Sequence, residues 1–473
     1  MTFLSNFYEL IVTLVDKGNT LLWGSLLIIL LIGLGIYFSI RTHFVQFRMI
    51  KEMVRLLGDG VGKSTKDGKI SSFQAFCIST ASRVGTGNIA GVAMAVAVGG
   101  PGSVFWMWVI ALIGGASSFV ESTLAQIYKV KDETGAYRGG PAYYIEQGLK
   151  QRWLGILFSV LITITFGFVF NAVQANTIAA AFETFGVAKW VMGAILAVVT
   201  AIIIFGGVQR IAKVSEVIVP VLAVAYIFVA IVVIVMNITA IPQIIGLIFS
   251  EAFNFSALAS GAFGAMFIQG VKRGLFSNEA GMGSAPNAAA TAEVSHPVKQ
   301  GLIQTLGVFT DTIIICSCTA FVILISGSYS GTDLNGIQLT QHALTSQIGA
   351  FGGIFVAICI LLFAFSSIVG NYYYGETNIE FLSTKKIYLT GYRIIVIAMV
   401  IFGSLTAVQF VWDLADLFMG LMAIVNLIAI SLLGKFAFAA LKDYTTQKKN
   451  GIKDPVFKAS SIKGLENVEH WQE

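Results

Sequence analysis

The chain has 473 residues, of which 56% are hydrophobic and 12% are charged, and its formal net charge is +5. Soluble domains carry about 25% charged residues, so this composition excludes an ordinary soluble enzyme or binding domain. Uncharged runs such as LLWGSLLIILLIGLGIYF and VIVPVLAVAYIFVAIVVIVM approach the roughly 20 apolar residues that cross a bilayer core. The sequence therefore predicts a polytopic α-helical membrane protein.

About eleven stretches are predicted to cross the bilayer. The loop after the first stretch is basic and includes Lys63, Lys66 and Lys69, whereas a loop on the other side, NITAIPQ, carries no charge. Cytoplasmic loops hold an excess of Lys and Arg. This alternation predicts a multi-pass protein of the cell membrane with its N-terminus outside and its basic C-terminal tail in the cytoplasm. The predicted spans are 20–40, 71–98, 102–129, 154–185, 188–208, 213–237, 254–291, 299–327, 348–374, 389–408 and 411–441.

Two of these spans are interrupted by small and polar residues. Span 71–98 contains SRVGTGNIAG, and span 254–291 contains GVKRGLFSNEAGMGSAPN. Glycine disfavours a helix by about 1 kcal/mol relative to alanine, and irregular backbone at membrane depth needs protein or water around it. The alternative is that these glycines only let helices pack closely.

Each interrupted span begins a set of five spans. Because five is odd, the second set enters the membrane from the opposite side, which predicts two inverted repeats with a binding site at the paired breaks. The predicted divisions are an extra N-terminal helix with its basic loop (1–70), a first five-helix repeat (71–238), a second, inverted repeat (254–441) and a cytoplasmic tail (442–473).

The first break, RVGTGNIAGVA, also fits a dinucleotide-binding fingerprint, but it lies inside a membrane span and no strand precedes it. Read as a helix break, its first half ends near Ala81 and Val84 and exposes carbonyl groups. Its second half begins near Thr86 to Asn88 and exposes N–H groups at the positive end of a helix dipole. The break therefore predicts a carboxylate site, suited to an amino acid, beside a cation site.

Two segments resemble the signatures of a known family. GGPGSVFWMWVIALIGGASSFVE (99–121) and GLFSNEAGMGSAPNAAA (274–290) are similar to motifs of the alanine or glycine:cation symporters, the sodium:alanine symporters. The resemblance covers essentially the whole chain. It implies an all-α, leucine-transporter-like fold of five-plus-five inverted repeats with two discontinuous helices, preceded here by one extra helix.

The same resemblance implies a carrier and not an enzyme. It implies uptake of alanine or glycine together with a co-transported sodium ion, in a lipid bilayer and with no nucleic-acid partner. The substrate-binding residues that it implies are Thr86, Gly87, Asn88, Asn171, Gln174, Phe276, Ser277 and Asn278. The sodium ligands that it implies are the carbonyls of Ala81 and Val84 and the hydroxyls of Ser366 and Ser367, with the Asn88 side chain as a further candidate.

Some of these residues have ordinary structural alternatives. Asn171 and Gln174 lie one turn apart on one helix face, and a buried amide needs either a neighbouring helix or a ligand as its partner. Each serine of the pair Ser366 and Ser367 could simply be a helix-packing residue. Gly270 is a further candidate for the lining of the second break.

Ionisable residues inside the spans are functional candidates by default. Glu121 is expected to brace the broken helix through hydrogen bonds, with a proton site as the alternative. Lys272 and Arg273 are expected to pair, for example with Glu279, or to face an inner vestibule. The remaining acids are predicted near span ends, as interfacial or gate residues, and these are Asp311, Asp413 and Asp416.

Other functions are less favoured. A proton-coupled or uncoupled permease of the same fold, with Glu121 in place of the ion, is the first alternative. A channel or sensor would need a polar pore or a signalling domain, and the 442–473 tail is too short for a domain. A membrane enzyme lacks support because no His, Asp and Glu cluster has metal-ligand spacing.

Overall fold

The computed structural model describes residues 2–60, 70–132, 135–206, 208–254 and 261–472. These residues are almost entirely helical. Their only sheet pairs strands β1 (Val130–Lys131) and β2 (Tyr137–Arg138) in antiparallel register. Lys63, Lys66 and Lys69 of the predicted basic loop lie outside the described residues.

Twenty-one α-helices follow one another along the described chain. The first eleven are α1 (Thr2–Leu21), α2 (Leu27–Arg41), α3 (Val45–Arg48), α4 (Ile50–Gly60), α5 (Ser72–Arg83), α6 (Val92–Gly99), α7 (Ser103–Ile127), α8 (Pro141–Leu149), α9 (Arg152–Ile162), α10 (Asn171–Glu183) and α11 (Lys189–Ile204). The others are α12 (Val208–Met236), α13 (Ile241–Ala252), α14 (Ala262–Asn278), α15 (Ala285–Thr291), α16 (Val298–Val308), α17 (Ser317–Ser326), α18 (Gly336–Ile348), α19 (Ala350–Leu382), α20 (Lys386–Leu405) and α21 (Val408–Lys449).

Wider π-helical turns and short 3₁₀ turns join or extend some of these helices. The π-helical segments of the described chain are Leu22–Leu26, Gly87–Gly91, Thr163–Phe170 and Phe309–Cys316, and the 3₁₀ segments are Ile238–Ala240 and Ala459–Ser461.

Eight helices of the described residues are long and apolar enough to cross a membrane. The two predicted interrupted spans are each a pair of shorter helices, α5 with α6 and α14 with α15. A sixteen-residue apolar helix, α11, lies at the predicted span 188–208. The count of eleven crossings stays a prediction.

The first and last helical segments extend beyond the predicted spans. The first apolar helical stretch, Tyr8–Arg41, begins before residue 20, and its polar Asn19 packs on α21, where the Asn19 side chain donates to the Asp413 carbonyl at 2.9 Å. The last helix continues to Lys449, beyond the predicted end at residue 441. Its final turns are held by α4, since Tyr444 donates to Glu52 and Lys448 lies 3.1 Å from the same carboxylate.

The two broken helices lie at the centre of the bundle. Helix α7 packs against α14, α15 and α16, and helix α19 packs against α5, α10 and α12. Long helices therefore surround both breaks, so that their irregular backbone is covered by protein and not by lipid.

The chain after α21 lies across one end of the bundle, which we call the tail face. Phe457 donates its N–H to the Ser295 carbonyl at 2.9 Å, and the Trp471 indole donates to the Gln126 carbonyl at 2.9 Å. Both side chains are buried. The other end of the bundle, which carries α13 and α18, is called the opposite face.

Candidate functional site

The first break follows α5. A capping box begins this helix, because Ser71 and Gln74 each accept from the backbone N–H of the other. At Val84 the backbone becomes extended (φ −80°, ψ 95°), and the chain resumes as a π-helical turn at Gly87. The carbonyls before the break and the N–H groups after it are thereby released from the helix, at the residues that the sequence predicted.

A serine of α19 reaches the carbonyl side of this break. Ser367 Oγ lies 2.8 Å from the Ala81 carbonyl and 3.4 Å from the Val84 carbonyl, as well as 3.1 Å from Phe363 O of its own helix. A Cβ at Gly85 would collide with this hydroxyl, so the approach requires glycine. Ser366 instead donates to Phe363 O within α19 at 2.7 Å. Three carbonyls and one hydroxyl thus converge, which is a ligand set for a hard cation.

A glutamine of α10 covers the N–H side of the break. The Thr86 N–H donates to Gln174 Oε1 at 3.1 Å, and the Gly85 N–H donates to Asn88 Oδ1 at 2.9 Å. The Thr86 hydroxyl is fully buried and has no hydrogen-bond partner in the described structure. Asn171 donates to the Gly167 carbonyl at 3.0 Å, while its buried Oδ1 lacks a partner there.

The second break lies between α14 and α15, at residues 279–284. Glu279 (φ 57°), Gly281 (φ 84°) and Gly283 (φ 86°) have left-handed backbone that ends the helix. Asn278 closes α14 by accepting the Ala280 N–H at 3.0 Å.

Glu121 holds this break in place. Its carboxylate accepts the N–H groups of Gly281 and Gly283, both at 3.1 Å, and the Asn426 amide at 2.8 Å. The expectation that Glu121 braces a broken helix is confirmed.

The two breaks meet at a buried aspartate. The Asn88 amide donates to Ser277 Oγ at 3.1 Å and to Asp311 Oδ1 at 2.6 Å, and Ser277 donates to Asp311 Oδ2 at 2.5 Å. The predicted position of Asp311 near a span end was wrong. It is 1% exposed and lies in the middle of the continuous helical span Val298–Ser326. Counting its distance from both ends of the apolar stretch would have indicated this position.

The expectation that Lys272 and Arg273 pair with an acid is confirmed, but the partner is Asp416 and not Glu279. Arg273 lies 2.7 Å and Lys272 lies 3.2 Å from the Asp416 carboxylate. Both cations precede the break by more than one helical turn, on the part of α14 that packs against α21. Asp416 is 2% exposed, so this is a buried ion-pair cluster.

Aromatic rings lie between this ion-pair cluster and the breaks. The Phe276 ring packs against Phe170 and Trp412, with centroids 4.6 and 4.8 Å away, and the Arg273 guanidinium lies 4.6 Å from the Trp412 ring centroid. A Cβ at Gly87 would lie 2.9 Å from the Phe276 ring. Beyond Trp412, towards the opposite face, is a cavity of about 80 Å³ that Asn176 and Thr177 help to line. Trp412 therefore lies between the Phe276 ring and that cavity, which Ala90 of the turn after the first break also lines.

Residues 8–459 match the family described as "Sodium:alanine symporter family". The chain belongs to the sodium:alanine symporter family. Relatives of this family member include the probable sodium/glutamine symporter GlnT of Bacillus subtilis, which is 61% identical over 97% of this chain and 95% of its own length. The amino-acid carrier protein AlsT of the same organism is 57% identical over 98% of both chains. The sodium/alanine symporter AgcS of Methanococcus maripaludis is 40% identical over 94% of this chain and 99% of its own.

A solved structure supports the fold of this sodium:alanine symporter family member. The crystal structure of MhsT in complex with L-phenylalanine is similar with a TM-score of 0.54 and 15% identity, and the match covers 81% of this chain and 98% of that chain. The protein is therefore a multi-pass, leucine-transporter-like membrane carrier.

Proposed function

We propose that this protein is a sodium-coupled symporter that imports a small neutral amino acid, alanine or glycine, by alternating access. In this proposal the tail face is cytoplasmic and the N-terminus is outside. The observation that carries it is the first break, where a cluster of carbonyls and one hydroxyl lies next to helix N–H groups.

The sodium ion would bind between the Ala81 and Val84 carbonyls and Ser367 Oγ. The hydroxyl proton of Ser367 would then turn towards Phe363 O, which already lies 3.1 Å away, and leave the oxygen lone pairs facing the ion. The electrostatic coupling follows from proximity, because a cation held there favours a carboxylate on the adjoining N–H groups.

The substrate carboxylate would take the Thr86 and Gly87 N–H groups and displace the Gln174 amide from Thr86. The unpaired Thr86 hydroxyl and Asn171 Oδ1 are available as a further donor and acceptor for the carboxylate and the amino group. Phe276, with Ser277, Asn278 and Asn88, would enclose the ligand from the second break.

A second substrate, glutamine, is favoured by the 61% identity to a probable sodium/glutamine symporter. The first prediction therefore compares labelled alanine, glycine and glutamine in liposomes that contain the purified protein. We expect an inward sodium gradient to drive alanine uptake well above the rate with a potassium or proton gradient. Equal uptake under all three gradients would refute sodium coupling, and faster uptake of glutamine would reassign the substrate.

A further inference from the structure

Glu279 is a buried carboxylate that neither proposed ligand contacts. It occupies the left-handed position at the end of α14 and is 1% exposed. Lys272 and Arg273 cannot neutralise it, because both pair with Asp416. The hydroxyls of Ser82 and Ser284 donate hydrogen bonds to it, at 2.8 and 2.5 Å.

Further polar groups converge on this carboxylate. Ser82 Oγ, which has one proton, lies 2.8 Å from Glu279 Oε1 and 2.7 Å from Asn371 Oδ1. The Tyr374 hydroxyl is buried beside Ser82 and Glu279. Carboxylate, amide and hydroxyl oxygens are the ligands that hard cations prefer.

The charges around the breaks also favour a cation. Arg83 is the positive charge that acts on all three buried carboxylates of this region, which are Glu121, Glu279 and Asp311. Three carboxylates and one guanidinium leave an excess of negative charge when all are ionised. A buried charge without compensation is costly, so a cation bound near Glu279 would relieve that excess.

The cluster lies on the tail-face side of the proposed sodium site. Asn371, which lies 2.7 Å from Ser82 Oγ, follows Ser367 by four residues along α19, which corresponds to about 6 Å of helix rise. Helix α19 runs from α18 on the opposite face towards the tail face, so Asn371 lies closer to the tail face than Ser367 does.

We propose that Glu279, with Ser82, Ser284 and Asn371, forms a second sodium station between the first site and the tail face. An ion that leaves the Ala81 and Val84 carbonyls passes to the Glu279 carboxylate before it enters the cytoplasm. This inference rests on the proposed function, since it presumes sodium at the first site.

The test uses the full-length protein in liposomes and the variant Glu279→Gln, which keeps the side-chain shape and removes the charge. Two rates are measured with labelled alanine: net uptake driven by a sodium gradient, and alanine exchange with equal, saturating sodium on both sides. Exchange does not require sodium release. We expect net uptake to fall about tenfold and exchange to stay within about twofold of wild type.

Two further variants accompany this measurement. Glu469→Gln makes the same substitution at an exposed position of the tail, and both of its rates should equal those of wild type. Ser82→Ala removes one ligand and keeps the carboxylate, so we expect a smaller loss, about threefold, in net uptake alone.

The outcomes separate this inference from the proposed function. If sodium drove uptake by the wild type and Glu279→Gln showed the same net uptake, the second sodium station would be refuted and the proposed function would stand. If net uptake and exchange fell equally in Glu279→Gln, Glu279 would be a structural residue. If protons drove wild-type uptake and this uptake disappeared in Glu279→Gln, Glu279 would be a proton site. Either result overturns the proposal. A wild type without any sodium dependence would refute the proposed function itself.

Discussion

Two neighbouring serines of α19 have different partners. Ser367 reaches across to the Ala81 carbonyl of the broken helix, whereas Ser366 bonds within its own helix. Consecutive helix residues point about 100° apart, so only one of two adjacent side chains faces a given neighbour. The sequence pointed to the pair because the family resemblance implies hydroxyl ligands in this helix. It could not choose between them, since the choice depends on the rotation of α19 in the bundle.

This difference gives a prediction for matched variants. Ser367→Ala removes the hydroxyl that faces the carbonyls, and we expect the sodium concentration for half-maximal alanine uptake to rise about tenfold, which corresponds to about 1.4 kcal/mol. The ranking of amino-acid substrates should not change. Ser366→Ala is the control and should alter sodium dependence less than about twofold. A larger effect at Ser366 than at Ser367 would place the ion elsewhere.

At the scale of the elements, an acid on a neighbouring helix supports each break. Glu121 of α7 holds the backbone of the second break, and Asp311, between α16 and α17, holds Asn88 of the first. Helix α7 is the next span after the first break, and α16 begins the next span after the second break. The two supports thus correspond under the predicted inverted repeat, although the repeat boundaries themselves stay a prediction.

The brace at Glu121 gives the next prediction. Glu121→Gln replaces one acceptor oxygen by an NH₂ group that faces backbone N–H groups, so a hydrogen bond of the charged kind is lost. We expect the free energy of unfolding to fall by about 2 kcal/mol, measured by thermal or denaturant unfolding in detergent. Glu183→Gln, at the surface end of α10, is the control with no expected change beyond about 0.5 kcal/mol. Unchanged stability in Glu121→Gln would contradict the brace.

The sequence located the first break well and the second only approximately. In the second motif, Gly270 and Gly274 belong to the continuous helix α14, and their lack of a side chain allows α7 to pack closely. A Cβ at Gly270 would lie 2.6 Å from the Ser103 carbonyl oxygen, and a Cβ at Gly274 would lie 3.3 Å from Met107 Cα. The glycines that break the helix are Gly281 and Gly283. Glycines that serve packing and glycines that serve a turn look identical in a sequence, because only the neighbouring helix distinguishes them.

At the scale of the whole molecule, the tail face joins distant parts of the chain. His296, which precedes α16, is fully buried against Asp443 of α21 at 3.2 Å, and its ring packs on Tyr444 and Phe457. On the same face, the hydrogen bond from Arg55 lowers the pKa of Glu52 to about 2, with contributions from Tyr444 and Lys448. These contacts connect α4, α16, α21 and the tail.

His296 makes this junction sensitive to pH. Burial lowers the pKa of His296 below its usual 6.5, and the nearby Lys299 charge acts in the same direction, while Asp443 opposes both. Below that usual value the unfolded chain therefore binds more protons than the folded protein, and stability falls as the pH drops.

We expect the melting temperature in detergent to fall between about pH 7.5 and about pH 5.5, and to fall less in His296→Gln. His342→Gln, at an exposed histidine of α18, should keep the wild-type pH dependence. If the melting temperature of His296→Gln depended on pH as that of the wild type does, His296 would not be the source of the pH dependence.

The π-helical turns have a consequence for movement. Three of them border the two breaks. Gly87–Gly91 follows the first break, and Phe309–Cys316 carries Asp311. Thr163–Phe170 ends at Phe170, whose ring packs against Phe276. A π turn holds one residue more than an α turn. The position of the π turn can shift along the helix when single backbone hydrogen bonds are exchanged. Each such step rotates only the short stretch that the wide turn crosses. Under the proposed function, such a step would turn the side chains that contact the substrate and the ion, while both ends of each helix keep their place in the bundle.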